Sequence, residues 1–227
     1  MWVKICGVRD VPMALAIAET GADAIGLNFY DASPRRVELG LARQIVNELP
    51  ETVLAVGLFV NHPLDVVCEH VAHLKLPAVQ IHGDESPDDL ARLAQALPGV
   101  KLIRALRVSA ETGLGPVHAY LDACRSLSVE LFACLLDAKV GGAYGGTGQV
   151  GPWELIRSEY RVDIDPPLIL AGGLTPENIA QAISDVAPWG VDTAGGVESS
   201  VACKDMGRVR QFLASARGAT HESRRGG

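Results

Sequence analysis

The chain has 227 residues, 48% of them hydrophobic and 21% charged, which is enough apolar material for one barrel-sized core and argues against a second domain. Its 20 basic and 27 acidic side chains leave a formal charge of −7 spread along the chain, which disfavours a surface that tracks nucleic-acid phosphates and points to a small molecule or another protein as partner. Apolar runs such as Leu131 to Leu136 are far shorter than the roughly 20 residues of a membrane-spanning helix, so no membrane partner is expected and the runs read as buried strands.

An apolar strand begins at once, Trp2 to Ile5, with no charged-then-apolar leader before it, so the expected location is the cytosol. From there, short aliphatic runs alternate with helix-like segments along the whole chain, the pattern of parallel strands joined by crossover helices. Eight strands are predicted near residues 2–6, 24–29, 53–60, 78–82, 100–106, 131–137, 168–172 and 190–193. Between them, Leu64, Val67, Val71 and Leu74 share one helical face, as do Leu90, Leu93, Ala94 and Leu97. Ser86-Pro87 and Thr175-Pro176 each place a capping hydroxyl before a proline at the first helical position. An open doubly wound sheet would announce a dinucleotide site after its first strand, but that strand ends in Cys6-Gly7-Val8 with no G-x-G-x-x-G. The expected fold is therefore α/β, a single-domain (β/α)8 TIM barrel over residues 1–216, with a disordered Arg-, Gly- and Ser-rich tail over 217–227.

Barrels carry their chemistry at the C-terminal ends of the strands. There the sequence offers Cys6 after the first strand, Gln80 and His82 at the fourth and Asp137 at the sixth. Singly, each has a structural alternative: a cysteine packs in a core, and an aspartate caps a turn. The other cysteines, Cys68, Cys124, Cys134 and Cys203, form no C-x-x-C pair and no metal-ligand spacing, so neither a disulfide framework nor a zinc site is expected. Ser33-Pro34-Arg35-Arg36 brings two guanidinium groups to the same rim, one suited to grip a planar carboxylate and one solvated. Arg104, a charge within an apolar strand, needs a partner or a wet cavity and could add positive potential to the site. Glycines cluster after the last three strands, at Gly145-Gly146-Thr147-Gly148, Gly172-Gly173 and Gly195-Gly196, where backbone N–H groups can hold a phosphate.

Taken together, Lys4-Ile5-Cys6-Gly7, Ser33-Pro34-Arg35, Val56 to Asn61, Val79-Gln80-Ile81-His82-Gly83, Leu136-Asp137 with Gly145 to Gly148, Leu170 to Leu174, and Val191-Asp192 followed by Gly196-Val197-Glu198 and Lys204-Asp205 resemble the phosphoribosylanthranilate isomerase family, in order, over nearly the whole chain. The resemblance implies an Amadori rearrangement of N-(5-phosphoribosyl)anthranilate in tryptophan biosynthesis, without metal or organic cofactor, by a monomer or homodimer. It also implies that Asp137 is the acid, Cys6 the base and Arg35 the carboxylate ligand, with Gly146, Gly148, Gly172, Gly173, Gly195 and Gly196 around the phosphate and Gln80, His82 and Arg104 in support. Those roles ask for an aspartic acid raised by an apolar rim and a thiol lowered by nearby positive charge. Lys4 supplies that charge only if the first strand alternates regularly.

One departure stands out. Within Thr193-Ala194-Gly195-Gly196 the family pattern has a serine pair before the Gly-Val-Glu, and Ala194-Gly195 lacks those hydroxyl donors that could serve a phosphate. The related aminoimidazole ribotide isomerase would have an aspartate in place of Cys6 and a second phosphate loop after the third or fourth strand. Phosphosugar epimerases would show a metal-binding His/Asp set. A silent scaffold barrel would have no need to keep Cys6, Asp137 and Arg35 together.

Overall fold

The computed structural model describes residues 1–138 and 152–223. Eight strands, β1 (Trp2–Cys6), β2 (Ala24–Asn28), β3 (Leu54–Phe59), β4 (Ala78–Ile81), β5 (Lys101–Arg107), β6 (Ala133–Asp137), β7 (Leu168–Ala171) and β8 (Gly190–Thr193), pair in parallel in that order and close into a barrel. Helices α1 (Val11–Glu19), α2 (Leu39–Glu48), α3 (Leu64–Leu74), α4 (Pro87–Ala96), α5 (Gly115–Ser126), α6 (Trp153–Glu159), α7 (Ile179–Val186) and α8 (Met206–Ser223) follow them one by one. A short hairpin, β9 (Glu198–Ser200) and β10 (Cys203–Lys204), lies between β8 and α8. The predicted strands fall within two residues of these limits, because strands buried on both faces read as unbroken apolar runs.

Alternation along each strand divides the core into two parts. The outward set packs beneath the helices, where the predicted faces are found: Val67, Val71 and Leu74 of α3, and Leu90 and Leu93 of α4, are all buried. The inward set is small, with Ala24, Val56, Ala78, Ile103, Ala105, Ala133, Leu135, Ile169 and Ala171 filling the barrel above Trp2, Leu54 and Phe132. Closure sets Lys4 of β1 opposite Asp192 of β8, and both face this interior.

The caps differ in outcome. Ser86 begins α4 as expected, accepting a hydrogen bond from the Asp89 N–H at 3.2 Å while the Asp89 carboxylate accepts from the Ser86 N–H at 2.9 Å. Thr175, in contrast, stands before a turn, and α7 starts only at Ile179; the Asn178 side chain accepts from the Thr175 N–H at 2.8 Å and holds that turn apart from the helix. Residues 217–223 continue α8, and the remainder of the expected tail, 224–227, lies outside the described residues. Burial of Phe212, Leu213 and Ala216 carries the helix this far, and the Arg217 guanidinium donates to the Gly21 carbonyl just beyond. Among the described residues, no helix is long and apolar enough to cross a membrane.

Candidate active site

Strand β1 turns Trp2, Lys4 and Cys6 to the barrel interior, so Lys4 and Cys6 do share one side, as regular alternation requires. Lys4 is fully buried, its Nζ 2.8 Å from the Asp192 carboxylate. Burial alone would depress the Lys4 ammonium, but Asp192 and the Cys6 sulfur raise it, and it stays charged. Directly above, Cys6 ends the strand, also buried. Its thiol is shifted upward, not downward as the sequence suggests: burial dominates, and the positive fields of Lys4 and Lys204 offset only part of it.

Across the barrel, Asp137 ends β6 facing inward. His82 follows β4, its Nε2 3.9 Å from the Asp137 carboxylate, and burial lowers the imidazole against the pull of Asp137 and Asp192, leaving it neutral at neutral pH. Gln80 lies one layer deeper, inside the barrel and buried. The rim around Asp137 is not the apolar one expected from sequence, since Arg107 of β5 is its partner in register and faces the same interior. Arg107 escaped the sequence reading, although alternation from Ile103 and Ala105 would have placed it there.

Arg104 is a correction. It lies on the outer face of β5, buried, with Nη1 3.0 Å from Glu85 Oε2 and 3.2 Å from the Ile81 carbonyl, Nη2 3.0 Å from the Gly83 carbonyl, and its guanidinium 4.7 Å from the Tyr120 ring centre. The partner that a charge in an apolar strand needs is thus Glu85, under the helices and away from the site.

Arg35 stands over the open end of the barrel. Its backbone N–H donates to Ser33 Oγ at 3.1 Å, and that hydroxyl in turn accepts from Asn28 at 3.0 Å, so the loop after β2 is tied to the strand it leaves. The guanidinium donates through Nε and Nη2 to the two oxygens of Glu198, each at 2.7 Å. Glu198 also accepts from Lys204 Nζ at 2.8 Å. Burial would raise the Glu198 carboxyl, but the hydrogen bonds from Arg35 and Lys204 prevail and hold it at about 2. Arg36 is the solvated member of the pair, bound to Asp31 and Glu38.

On the β7–β8 side, Gly172 and Gly173 have φ of +92° and +68°, and Gly195 to Val197 form a 3-10 turn. A Cβ on Gly196 would lie 1.8 Å from the Leu174 carbonyl oxygen, so only glycine lets the two loops meet. Thr193, just before the Ala194-Gly195 departure, donates to that same carbonyl at 2.7 Å and faces away from the barrel interior. Gly146 and Gly148 lie outside the described residues. The described residues contain no cluster of three or more His, Cys, Asp or Glu arranged for a metal.

The geometry therefore gathers Cys6, Asp137, His82 and Gln80 inside one end of the barrel, with Arg35 above and glycine turns at its side. Lys4 joins them as the charge that regular alternation allows, and Asp192, Glu198 and Lys204 as charged partners that sequence reading left without roles. Their signal was the one that singled out Arg104, a charge in an apolar setting.

Residues 3–215 match the family described as N-(5'phosphoribosyl)anthranilate (PRA) isomerase. The chain is 41% identical to the N-(5'-phosphoribosyl)anthranilate isomerase of Trichlorobacter lovleyi over 215 residues, covering 95% of this chain and 97% of that protein. Against the enzyme of Pseudomonas savastanoi pv. phaseolicola it is 42% identical over 215 residues, 95% of this chain and 97% of the other. Among solved structures, phosphoribosyl anthranilate isomerase from Thermotoga maritima superposes with a TM-score of 0.84 at 37% identity, covering 96% of this chain and 99% of that one. A second, solved in complex with reduced 1-(o-carboxyphenylamino)-1-deoxyribulose 5-phosphate, gives 0.81 at 34% identity, with the same coverage.

Proposed function

The chain belongs to the phosphoribosylanthranilate isomerase family, and from that membership we propose how its own residues divide the work. It is an isomerase of tryptophan biosynthesis that converts N-(5-phosphoribosyl)anthranilate to 1-(2-carboxyphenylamino)-1-deoxyribulose 5-phosphate by an Amadori rearrangement. Asp137 gives its proton to the ribose ring oxygen; the C1–O bond breaks, and the nitrogen lone pair closes a protonated Schiff base at C1. Cys6 takes the proton from C2, and the electrons of that C–H bond form the C1–C2 double bond while the iminium electrons return to nitrogen. The enolamine then gains a proton at C1 and loses the hydroxyl proton at C2, giving the ketone.

To take the C2 proton Cys6 acts as thiolate and ends the step as thiol. Burial opposes the thiolate, the positive charges of Lys4 and Lys204 favour it, and the iminium, by acidifying C2, lowers the basicity that the step demands. Arg35 holds the anthranilate carboxylate, while Gly172, Gly173, Gly195 and Gly196, joined by Gly146 and Gly148, hold the phosphate through backbone N–H groups. His82 and Gln80 support the rim. The protein acts in the cytosol on this small molecule, as a monomer or homodimer.

The observation that carries the reading is the inward placement of Cys6 and Asp137 at the C-terminal ends of β1 and β6 in one closed barrel. Turnover of freshly generated substrate, followed by its loss of fluorescence, tests it. Cys6→Ala and Asp137→Asn should each lose roughly 10²- to 10⁴-fold in rate while remaining folded. A folded variant with its rate intact would remove that residue from the acid–base pair, and a folded but inactive natural protein would favour binding without catalysis.

A further inference from the structure

Arg35 is held more firmly than a carboxylate ligand on a loop needs to be, and by an unexpected partner. A guanidinium has five N–H donors. Glu198 takes one from Nε and one from Nη2, so the side edge of the fork is already occupied by a carboxylate and three donors, on Nη1 and Nη2, remain for a ligand. Glu198 is itself fixed: its side chain is only 4% exposed, it accepts from Lys204 and from the Ala202 N–H at 3.2 Å, and Lys204 Nζ also donates to the Ala194 carbonyl at 2.8 Å. The stem of Arg35 rests on Gly7, where φ is +78° and a Cβ would lie 2.6 Å from Arg35 Cδ.

A carboxylate bonded to Arg35 would by itself oppose the binding of a second carboxylate. Lys204 removes that objection. The cluster of Arg35, Lys204 and Glu198 carries two positive charges and one negative, so one positive charge is left, and it lies on the only member of the three with substantial exposure, Arg35 at 24% of its side chain.

We propose that Glu198, neutralised by Lys204, is a positioning residue for substrate recognition: it grips the side edge of Arg35 and so presents the other edge, pre-aimed, to the anthranilate carboxylate. This rests on the reading that Arg35 binds that carboxylate, and it assigns Glu198 and Lys204 no contact with substrate. Pre-aiming should matter because a free arginine must be immobilised at every binding event, whereas a clamped one has lost that freedom during folding.

The test compares two ligands, reduced 1-(o-carboxyphenylamino)-1-deoxyribulose 5-phosphate and the same compound built on aniline, which lacks the carboxylate. Calorimetric dissociation constants give the carboxylate's contribution as a ratio, expected to be roughly 10- to 100-fold for the natural protein. In Glu198→Gln the ratio should fall severalfold while the aniline compound binds as before, and in turnover KM should rise by more than kcat falls. Lys204→Met should shift the ratio the same way, and it decides the matter if Glu198→Gln does not fold. A purely structural role would weaken both ligands equally and leave the ratio unchanged, which overturns the proposal. Arg35→Ala separates the two layers: if it abolishes the ratio while Glu198→Gln and Lys204→Met keep it, only the clamp is wrong, and if it too keeps the ratio, the carboxylate reading falls and the clamp with it.

Discussion

Lys4 and Asp192 face each other in an interior built largely of alanine, leucine and isoleucine, a setting in which either charge alone would be driven out. Their value is electrostatic and is exerted on Cys6. Burial raises the thiol, Lys4 lowers it and Asp192 raises it. Removing Lys4 both deletes a lowering influence and leaves Asp192 unopposed, so the two changes have the same sign. In Lys4→Met, the pH midpoint for alkylation of Cys6 should therefore move further up from that of the natural protein, measured by peptide mapping so that the exposed Cys203 and partly exposed Cys68 do not intrude. A midpoint that fell or stayed put would show that Lys4 does not act on the sulfur. At this scale the sequence was only partly legible. Cys6, Asp137 and Arg35 stood out by their positions at strand ends, but the direction of the Cys6 shift could not be read, because it is the difference between burial and three charges that meet only once the barrel closes.

At the scale of elements, the loops after β3 and β4 are organised by a single buried carboxylate. Glu85 accepts from the Asn61 N–H at 2.7 Å and the Gly83 N–H at 2.8 Å, and pairs with Arg104 of β5. Arg104→Met would leave Glu85 buried without its cation, at a cost of roughly 3–5 kcal/mol. Urea unfolding should show that loss, while the KM of the folded variant stays close to that of the natural protein. A large KM change with little loss of stability would return Arg104 to the site. The sequence marked Arg104 as a residue in need of a partner yet not its direction; the inward set Ile103 and Ala105 flank it, so the outward assignment was available from strand alternation alone. Helix starts show a similar limit. Ser86-Pro87 behaved as its local chemistry dictates, whereas Asn178 captured the Thr175 N–H and delayed α7, a competition between two capping side chains that spacing does not resolve.

For the whole molecule, closure depends on the last helix as well as the last strand. α8 buries Val209, Phe212, Leu213 and Ala216 and packs on α7 and α1, joining the two ends of the helical ring. A chain ending at Asp205 should lose cooperative thermal unfolding and remain without turnover, while one ending at Ser223 should melt like the full chain. Calorimetry of both would decide, and a cooperative transition in the shorter chain would show that the ring closes without α8. The barrel itself was legible because eight apolar runs, each buried on both faces, repeat through the chain, and closure requires no information beyond that repeat.

The pair Arg35 and Glu198 spans 163 residues of sequence, and Lys4 and Asp192 nearly the entire chain between the first strand and the last. On the ribosome, the base and the acid emerge long before the groups that neutralise and aim their surroundings. An unfinished polypeptide thus holds its thiol without the machinery that would make it useful, and competence arrives only once the final strand and hairpin are joined by the last helix. The enzyme's own chemistry becomes a readout of completed translation: a stalled or clipped product can be present in the cell, even partly structured, and contribute nothing to flux.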